Sequence, residues 1–253
     1  MKYFYIILLI FIIIGGFAFQ NKDTNKHMSL ENQSFAIIEL FTSQGCSSCP
    51  VADELLAKTI DNHKDNNKLI AISYHVDYWN RLGWKDLLSK KEFSDRQRAY
   101  GNIMNLNSIY TPQMIVNGEK EFIGSNENDL KYALRDTKKS KEKVTFKNLS
   151  ATINGRNVTT EFQLNGDYQD CKVNIVLISK KETTEIFAGE NKGKTLTYRN
   201  VVRYMHSLNA EESGKITFNT NIDLNLLKEN FFIVAFVQDI NTMKIIGANT
   251  FAF

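Results

Sequence analysis

Cysteine, histidine and proline are scarce in this sequence of 253 residues, and its net charge is low. It has three cysteines, four histidines and two prolines, and the formal net charge is +3. The basic residues are dispersed, which argues against a nucleic-acid partner. No further cysteine or histidine has the close spacing to Cys46 and Cys49 that a zinc site needs, so we expect no metal site. The hydrophobic content of 43% is typical of a folded globular protein.

The first twenty residues have the pattern of an export signal. Lys2 precedes the almost wholly apolar residues 3–19, and polar residues follow at once. This length lies between that of a signal peptide and that of a short membrane anchor, so cleavage of residues 1–20 and a membrane tether through them both stay open. No cysteine near the end of this stretch offers a lipid attachment site. Residues 21–33 are polar and predict a linker, and we expect an extracytoplasmic protein that is periplasmic, secreted or anchored.

A Cys-x-x-Cys pair follows a predicted strand and precedes a predicted helix. Residues 35–41 are an apolar run typical of a buried strand, and residues 51–60 have helical periodicity. Because a helix N-terminus favours a thiolate, Cys46 is expected to be the attacking thiol with the more exposed sulfur, and Cys49 to resolve. A purely structural disulfide is the weaker interpretation, since so small a loop gives little stabilisation. An exported protein also meets the oxidising surroundings in which disulfides persist.

The region 34–142 is predicted to alternate strands with helices. After the first strand, periodicity and turn signals predict a helix at 51–60, a strand at 68–76, an inserted aromatic loop at 77–90, a helix at 92–106, a hairpin turning at Asn117-Gly118 and a helix at 126–140. A strand, a helix and a strand in so short a span imply a right-handed parallel crossover. The resulting order β-α-β-α-β-β-α is that of the thioredoxin fold.

The region 143–253 is predicted to be a second, β-rich domain. The strongest strand signals lie at residues 158–164, 172–179, 231–237 and 244–253. Residues 196–208 fit a strand or a helix. Several strands with little helix indicate a small β-sandwich, and the basic residues 138–143 indicate a solvated helix end or linker between the domains.

Several segments together resemble a family of secreted bacterial thioredoxin-like proteins whose function is not established. These segments are ELFTSQGCSSCP at 39–50, HVDYW at 75–79, GWKD at 83–86, RQRAY at 96–100, YTPQM at 110–114, KTLTY at 194–198 and NVVR at 200–203. Val51 departs from the family, which commonly has a second proline there, so the redox potential is expected to differ. The resemblance implies an α/β fold, with a thioredoxin-like domain followed by the C-terminal all-β, sandwich-like domain.

The resemblance also implies roles for residues outside the cysteine pair. In thioredoxin-like folds a cis-proline faces the disulfide and turns the preceding backbone toward a substrate peptide, which points to Thr111 and Pro112 as a docking element. Thioredoxins often carry a buried acid that exchanges protons with the second cysteine. Glu39 matches that acid, with a raised pKa if it is desolvated, and an exposed strand acid is the alternative.

Other polar and aromatic residues are candidates for supporting positions. His75 and Asp77 end the second predicted strand, where sites collect in open α/β sheets. His75 is expected to form a hydrogen bond within the fold, and ligation of copper together with the cysteines is the alternative. Trp79 and Trp84 either line the groove beside the cysteines or pack the inserted loop. Cys171 is interpreted as a buried free thiol, with a resolving role as the alternative.

These observations favour an exported thiol–disulfide oxidoreductase that acts through Cys46 and Cys49. Its partner would be a thiol- or disulfide-bearing protein, and it would need no cofactor beyond its own redox-active disulfide. The alternative is a non-catalytic binding protein of the cell envelope on a thioredoxin scaffold, which holds copper or a peptide. Disulfide exchange with a model peptide would support the oxidoreductase, whereas copurification with stoichiometric metal would support the binding protein.

Overall fold

Strands and helices alternate in the first part of the chain, as the hydrophobic periodicity predicts. The computed structural model describes residues 34–66, 68–137, 141–225 and 227–253. The elements of the first part are β1 (Ala36–Thr42), α1 (Cys49–Asn62), β2 (Leu69–His75), α2 (Lys91–Ile103), β3 (Gln113–Val116), β4 (Lys120–Ile123) and α3 (Glu127–Thr137). Strands β1 and β2 are parallel, and β3 and β4 form the predicted hairpin. Both Asn117 and Gly118 have positive φ, as a type I′ turn requires.

The second part of the chain consists almost wholly of strands, as predicted. These strands are β5 (Val144–Asn154), β6 (Asn157–Gly166), β7 (Cys171–Glu185), β8 (Thr195–Asn209), β9 (Ser213–Asn219), β10 (Phe231–Asp239) and β11 (Ile245–Ala252). The segment 196–208, which fitted strand or helix, lies in β8. Two short 3-10 turns complete the described elements, at Asn80–Leu82 within the inserted loop and at Lys228–Asn230.

Eight strands from both parts of the chain share one mixed sheet. Its order is β11-β10-β7-β8-β2-β1-β3-β4, and β5, β6 and β9 form a second, antiparallel sheet. Strand β8 joins β2 in parallel at Ser73 and Val201. Two side-chain bonds reinforce this junction: Asn200 Nδ2 donates to the Ala71 carbonyl oxygen at 2.9 Å, and Ser73 Oγ donates to the Arg199 carbonyl oxygen at 3.3 Å. The described residues from 34 onward therefore form one compact unit, in which the strands of the predicted sandwich continue the N-terminal sheet.

The two faces of β1 pack against different helices, and this alternation positions the site. Ile37 and Phe41 lie in a buried cluster with residues of α2, whereas Ile38 and Leu40 lie in a cluster with residues of α1 and α3. A third cluster fills the space between the two sheets. Because side chains alternate along a strand, Glu39 shares the α2 face and Thr42 shares the α1 face.

The predictions for residues 1–20 and 21–33 lie outside the residues that the structure describes. Within the described ranges, every helix is too short or too polar to cross a bilayer.

Candidate functional site

The cysteine pair lies at the junction of β1 and α1. The sulfurs of Cys46 and Cys49 are bonded to each other, with their Cα atoms 5.4 Å apart. Helix α1 begins at Cys49, with Ser48 at its N-cap and Pro50 in its first turn. The Cys49 amide donates to the Cys46 carbonyl oxygen at 3.2 Å, which closes a tight turn ahead of the helix. The site thus has the helix N-terminus that the sequence predicts next to the first cysteine.

Both cysteines are buried, so exposure hardly distinguishes Cys46, whose sulfur is expected to be the more exposed, from Cys49. Cys46 is 1% exposed and Cys49 is 0% exposed. The Thr111–Pro112 peptide bond is cis, and the Thr111 carbonyl oxygen lies 3.8 Å from Cys46 Sγ. The structure therefore places Thr111 and Pro112 against the first cysteine, as the resemblance implied.

The two tryptophans of the inserted loop form hydrogen bonds at the site. Trp79 Nε1 donates to Thr111 Oγ1 at 2.7 Å, and Trp84 Nε1 donates to Gln44 Oε1 at 2.9 Å. Gln44 precedes the cysteine pair in the turn after β1. Both indoles therefore hold the segments that border the disulfide.

Residues of the C-terminal half also contact the cysteine turn, which the sequence did not predict. The loop between β7 and β8, residues 186–194, supplies them and is called the clamp loop below. Asn191 is fully buried and donates to the carbonyl oxygens of Gln44 and Cys46 at 2.9 and 2.8 Å. Glu190 Oε2 accepts from the Ser47 amide at 2.9 Å. The only signal for this contact was the resemblance at 194–198, directly after these residues.

Glu39 is buried, but its partner is not the cysteine pair. Arg96 donates to both of its carboxylate oxygens, from Nε at 2.7 Å and from a terminal nitrogen at 3.0 Å, and the Tyr100 hydroxyl donates to it as well. These partners lie on α2, on the opposite face of the sheet from α1. The assignment of Glu39 as the acid next to Cys49 is therefore wrong, because strand alternation turns it away.

Asp53 is the buried acid on the side of the cysteines. It lies one helical turn after Cys49 on α1, is 6% exposed, and accepts from Thr42 Oγ1 at 3.1 Å. Its other oxygen, Oδ1, has no hydrogen-bond partner among the described residues. Burial raises the pKa of Asp53 to about 7, and the charge of His75 and the bond from Thr42 offset this only in part. A group with this pKa exchanges protons readily near neutral pH.

Replacement of Asp53 by Asn should stabilise the protein at alkaline pH. The pKa of Asp53 is about 7 in the folded chain, against an ordinary value of 3.8, so the folded state binds the extra proton. The stability that this proton gives to the folded state is fully present below pH 3.8. It is lost as the pH rises through about 7, and the loss is on the order of 4 kcal/mol. Urea unfolding of the oxidised protein at pH 5 and pH 8 should show about 3 kcal/mol of this loss in the wild type, because the remainder falls below pH 5, and should not show it in Asp53→Asn. The matched control, Glu54→Gln, alters the exposed neighbour and should keep the wild-type pH slope; an equal slope for Asp53→Asn would contradict the burial argument.

His75 and Asp86 form a buried ion pair beside Asp53. His75 Nδ1 lies 2.7 Å from Asp86 Oδ2, and both side chains are 0% exposed. Burial alone would lower the pKa of His75, but the charge and hydrogen bond of Asp86, with the charge of Asp53, raise it above its ordinary value. Burial likewise disfavours ionisation of Asp86, yet His75 and the amides of Gln44 and Leu88 hold its pKa below the usual range. His75 therefore hydrogen-bonds within the fold, as expected.

Unpaired polar atoms gather next to this ion pair. His75 Nε2, Asp53 Oδ1 and the Tyr198 hydroxyl are buried and have no partner among the described residues. The ring of Tyr198 packs edge-on against His75, with centroids 4.6 Å apart. Asp53 and Tyr198 also line a cavity of about 260 Å³ together with Pro50. A polar cavity of this size has room for water beside Asp53 and Tyr198.

The remaining predicted residues lie away from the disulfide. The Asp77 carboxylate accepts from Ser94 Oγ at 2.5 Å and so ties the inserted loop to α2. Cys171 is a free, buried thiol in the cluster between the two sheets, and burial raises its pKa. Its sulfur contacts the Gln169 carbonyl oxygen at 3.2 Å. These contacts agree with the interpretation of Cys171 as a buried free thiol.

Comparison with known proteins identifies relatives of unknown function. No curated protein matches the chain. A solved structure from Agrobacterium tumefaciens, protein AGR_C_4864, is similar over 86% of this chain and 93% of its own, at 26% identity and a TM-score of 0.64. A domain of the outer membrane lipoprotein Omp28 from Porphyromonas gingivalis matches over 44% of this chain and 95% of its own, at 14% identity; its TM-score of 0.27 is too low for any argument. The family model described as "Protein of unknown function (DUF1223)" matches residues 37–238, and the chain therefore belongs to the DUF1223 family.

Proposed function

We propose that this protein is an exported thiol–disulfide oxidoreductase that exchanges disulfides with protein substrates through Cys46 and Cys49. The observation that carries the proposal is the position of the cysteine pair. It lies between the end of β1 and the start of α1, with the carbonyl oxygen of Thr111 3.8 Å from Cys46 Sγ. A thiolate there gains from the helix N-terminus, and a substrate backbone has an edge to pair with at Thr111.

A thioredoxin-like scaffold for the first half of the chain is part of the proposal. The order of elements from β1 to α3 is β-α-β-α-β-β-α, and the sheet order of these strands is β2-β1-β3-β4. Strand β1 is parallel to β2 and antiparallel to β3. This arrangement places the ends of β1 and β2 and the start of β3 together, and the three carry the cysteine turn, His75 and Pro112.

The chemistry consists of two exchanges. The Cys46 thiolate attacks one sulfur of a substrate disulfide; the substrate S–S bond breaks, a mixed disulfide forms, and the second substrate sulfur leaves as a thiolate that takes up a proton. Cys49 then loses its proton and attacks Cys46 Sγ, which releases the first substrate sulfur as a thiol and re-forms the Cys46–Cys49 bond. The substrate gains two electrons and the cysteine pair loses two. With a substrate dithiol the same steps run in reverse, and the partner's potential decides the direction.

Asp53 is the proposed acceptor for the proton of Cys49. It lies one turn further along α1, and residues at this spacing are neighbours on a helix surface. With a pKa of about 7, an appreciable fraction of Asp53 is ionised at neutral pH and able to take a proton. The cavity that Asp53 shares with Pro50 and Tyr198 offers a place where water can carry the proton onward.

An assay of disulfide exchange tests the proposal. The purified chain from residue 34 should reduce a fluorogenic peptide disulfide in the presence of dithiothreitol, and should do so faster than dithiothreitol alone. The same preparation is analysed for copper. No acceleration, together with one copper ion per chain, would overturn the oxidoreductase in favour of the binding protein. The described residues contain no group of three or more His, Cys, Asp and Glu side chains arranged to hold a metal ion.

A further inference from the structure

The clamp loop is fixed to the cysteine turn by a buried amide. Asn191 Nδ2 donates to the carbonyl oxygens of Gln44 and Cys46, and its Oδ1 accepts from Lys194 Nζ at 2.9 Å. The lysine bond determines which end of the amide faces the turn. Since Asn191 is 0% exposed and both polar atoms of its side chain are paired, the clamp loop has a defined position over the turn.

This position brings a carboxylate to the first of the two residues between the cysteines. Glu190 Oε2 accepts from the amide of Ser47, directly after Cys46. The side-chain and backbone hydrogen bonds from Ser47 lower the pKa of Glu190, so it is ionised at neutral pH. The amides here precede α1 and would otherwise favour a negative charge on the sulfur. Glu190 occupies one of them and adds a negative charge of its own.

We propose that Glu190 is a positioning residue for the redox pair: its carboxylate disfavours the Cys46 thiolate and so weights the pair toward its disulfide form. The inference rests on the proposed function for its biological meaning. Cleavage of the disulfide takes two electrons and leaves a thiolate on one sulfur until a proton is bound. A negative charge held at the amide of Ser47, the residue after Cys46, raises the free energy of the thiolate but not that of the uncharged disulfide. The C-terminal half of the chain thereby sets the redox balance of a site in the N-terminal half.

Other charged groups lie on the elements that surround the cysteine turn. Lys194 of the clamp loop opposes Glu190, but it acts through Asn191 and bonds no backbone group of the cysteine turn. Asp53 on α1 adds negative charge when ionised, and the pair of His75 and Asp86 is close to neutral as a unit. Glu190 is therefore the negative group whose removal changes the charge at the turn most directly.

The substitution Glu190→Gln removes the charge and keeps a hydrogen-bond acceptor for Ser47. In the Cys49→Ser background, the rate of alkylation of Cys46 by iodoacetamide against pH gives the pKa of this thiol. We expect Glu190→Gln to lower the pKa of Cys46 by about 0.5 to 1 unit.

A second measurement uses the protein with both cysteines present. Glu190→Gln should shift its equilibrium constant with glutathione at pH 8 about threefold toward the dithiol form. This corresponds to a change of about 14 mV in reduction potential, because a tenfold change in the constant is about 30 mV. In 1 M salt the difference in pKa should shrink, because an exposed charge is screened.

The matched control is Glu185→Gln, an exposed carboxylate at the end of β7 in the same hairpin. It should leave the pKa of Cys46 unchanged. An unchanged or higher pKa in Glu190→Gln, or a decrease that salt does not reduce, would overturn the proposal, since the latter indicates a displaced loop and not a lost charge. Alkylation needs no protein partner, so this result stands apart from the outcome of the disulfide-exchange assay.

Discussion

Cys49→Ser should accumulate mixed disulfides with a substrate, whereas Cys46→Ser should accumulate few, and both should lose turnover to the uncatalysed rate. Cys46 lies beside the Thr111 backbone and precedes α1, whereas Cys49 lies within the first turn of the helix. Without Cys49 no internal thiol attacks the mixed disulfide on Cys46, so this intermediate persists. Non-reducing electrophoresis after incubation with a disulfide-bonded model protein measures the trapped species.

The free thiol Cys171 supplies the control for this experiment. It lies between the two sheets, and its sulfur contacts the Gln169 carbonyl oxygen. Cys171→Ser should therefore leave both turnover and trapping unchanged. Equal trapping by Cys46→Ser and Cys49→Ser would refute the assignment of Cys46 as the attacking thiol. If Cys171→Ser abolishes trapping, the alternative interpretation of Cys171 as a resolving thiol would be supported instead.

The local parts of the fold follow from the sequence because short-range patterns specify them. The cysteine turn, the hairpin at Asn117-Gly118 and the crossover from β1 to β2 all depend on neighbouring residues. The junction of β8 with β2 does not, since it pairs Ser73 with Val201, two residues that are far apart in the chain. No periodicity within β8 indicates which edge it joins, and the C-terminal strands therefore read as a separate sandwich.

The same distinction explains the errors within the site. Glu39 was the natural candidate acid because it precedes the cysteines in a buried strand, but alternation places it on the α2 face. Asp53 has the helical spacing that brings it next to Cys49, yet its significance depends on burial, to which the packing of α1 against β8 contributes. Asn191 contacts the Cys46 carbonyl oxygen across a separation of 145 residues, so no local sequence pattern predicts this contact.

Arg96→Met should destabilise the protein by about 3–5 kcal/mol, because it leaves a buried carboxylate without its cation. The side chains of Arg96 and Glu39 are 7% and 0% exposed, and the guanidinium also donates to Gln238 Oε1 at 3.0 Å. Gln238 lies on β10, so the arginine ties α2 and β1 to the C-terminal strands. Methionine fills similar space but satisfies neither acceptor. Urea unfolding at pH 7 measures the loss, and the double variant Glu39→Gln/Arg96→Met should recover part of it, since no charge then remains buried.

Arg98→Met is the matched control on the same helix. Arg98 is 45% exposed and bonds to the exposed Asp95 at 2.8 Å, and a solvent-screened pair of this kind contributes little to stability. If Arg96→Met lowers the free energy of unfolding no more than Arg98→Met does, the Glu39 carboxylate is hydrated or protonated when its partner is removed. Because Arg96 and Glu39 lie on the face of the sheet opposite α1, the folded Arg96→Met protein should keep the wild-type pKa of Cys46. Stability and thiol reactivity should thus respond to substitutions on different faces of β1.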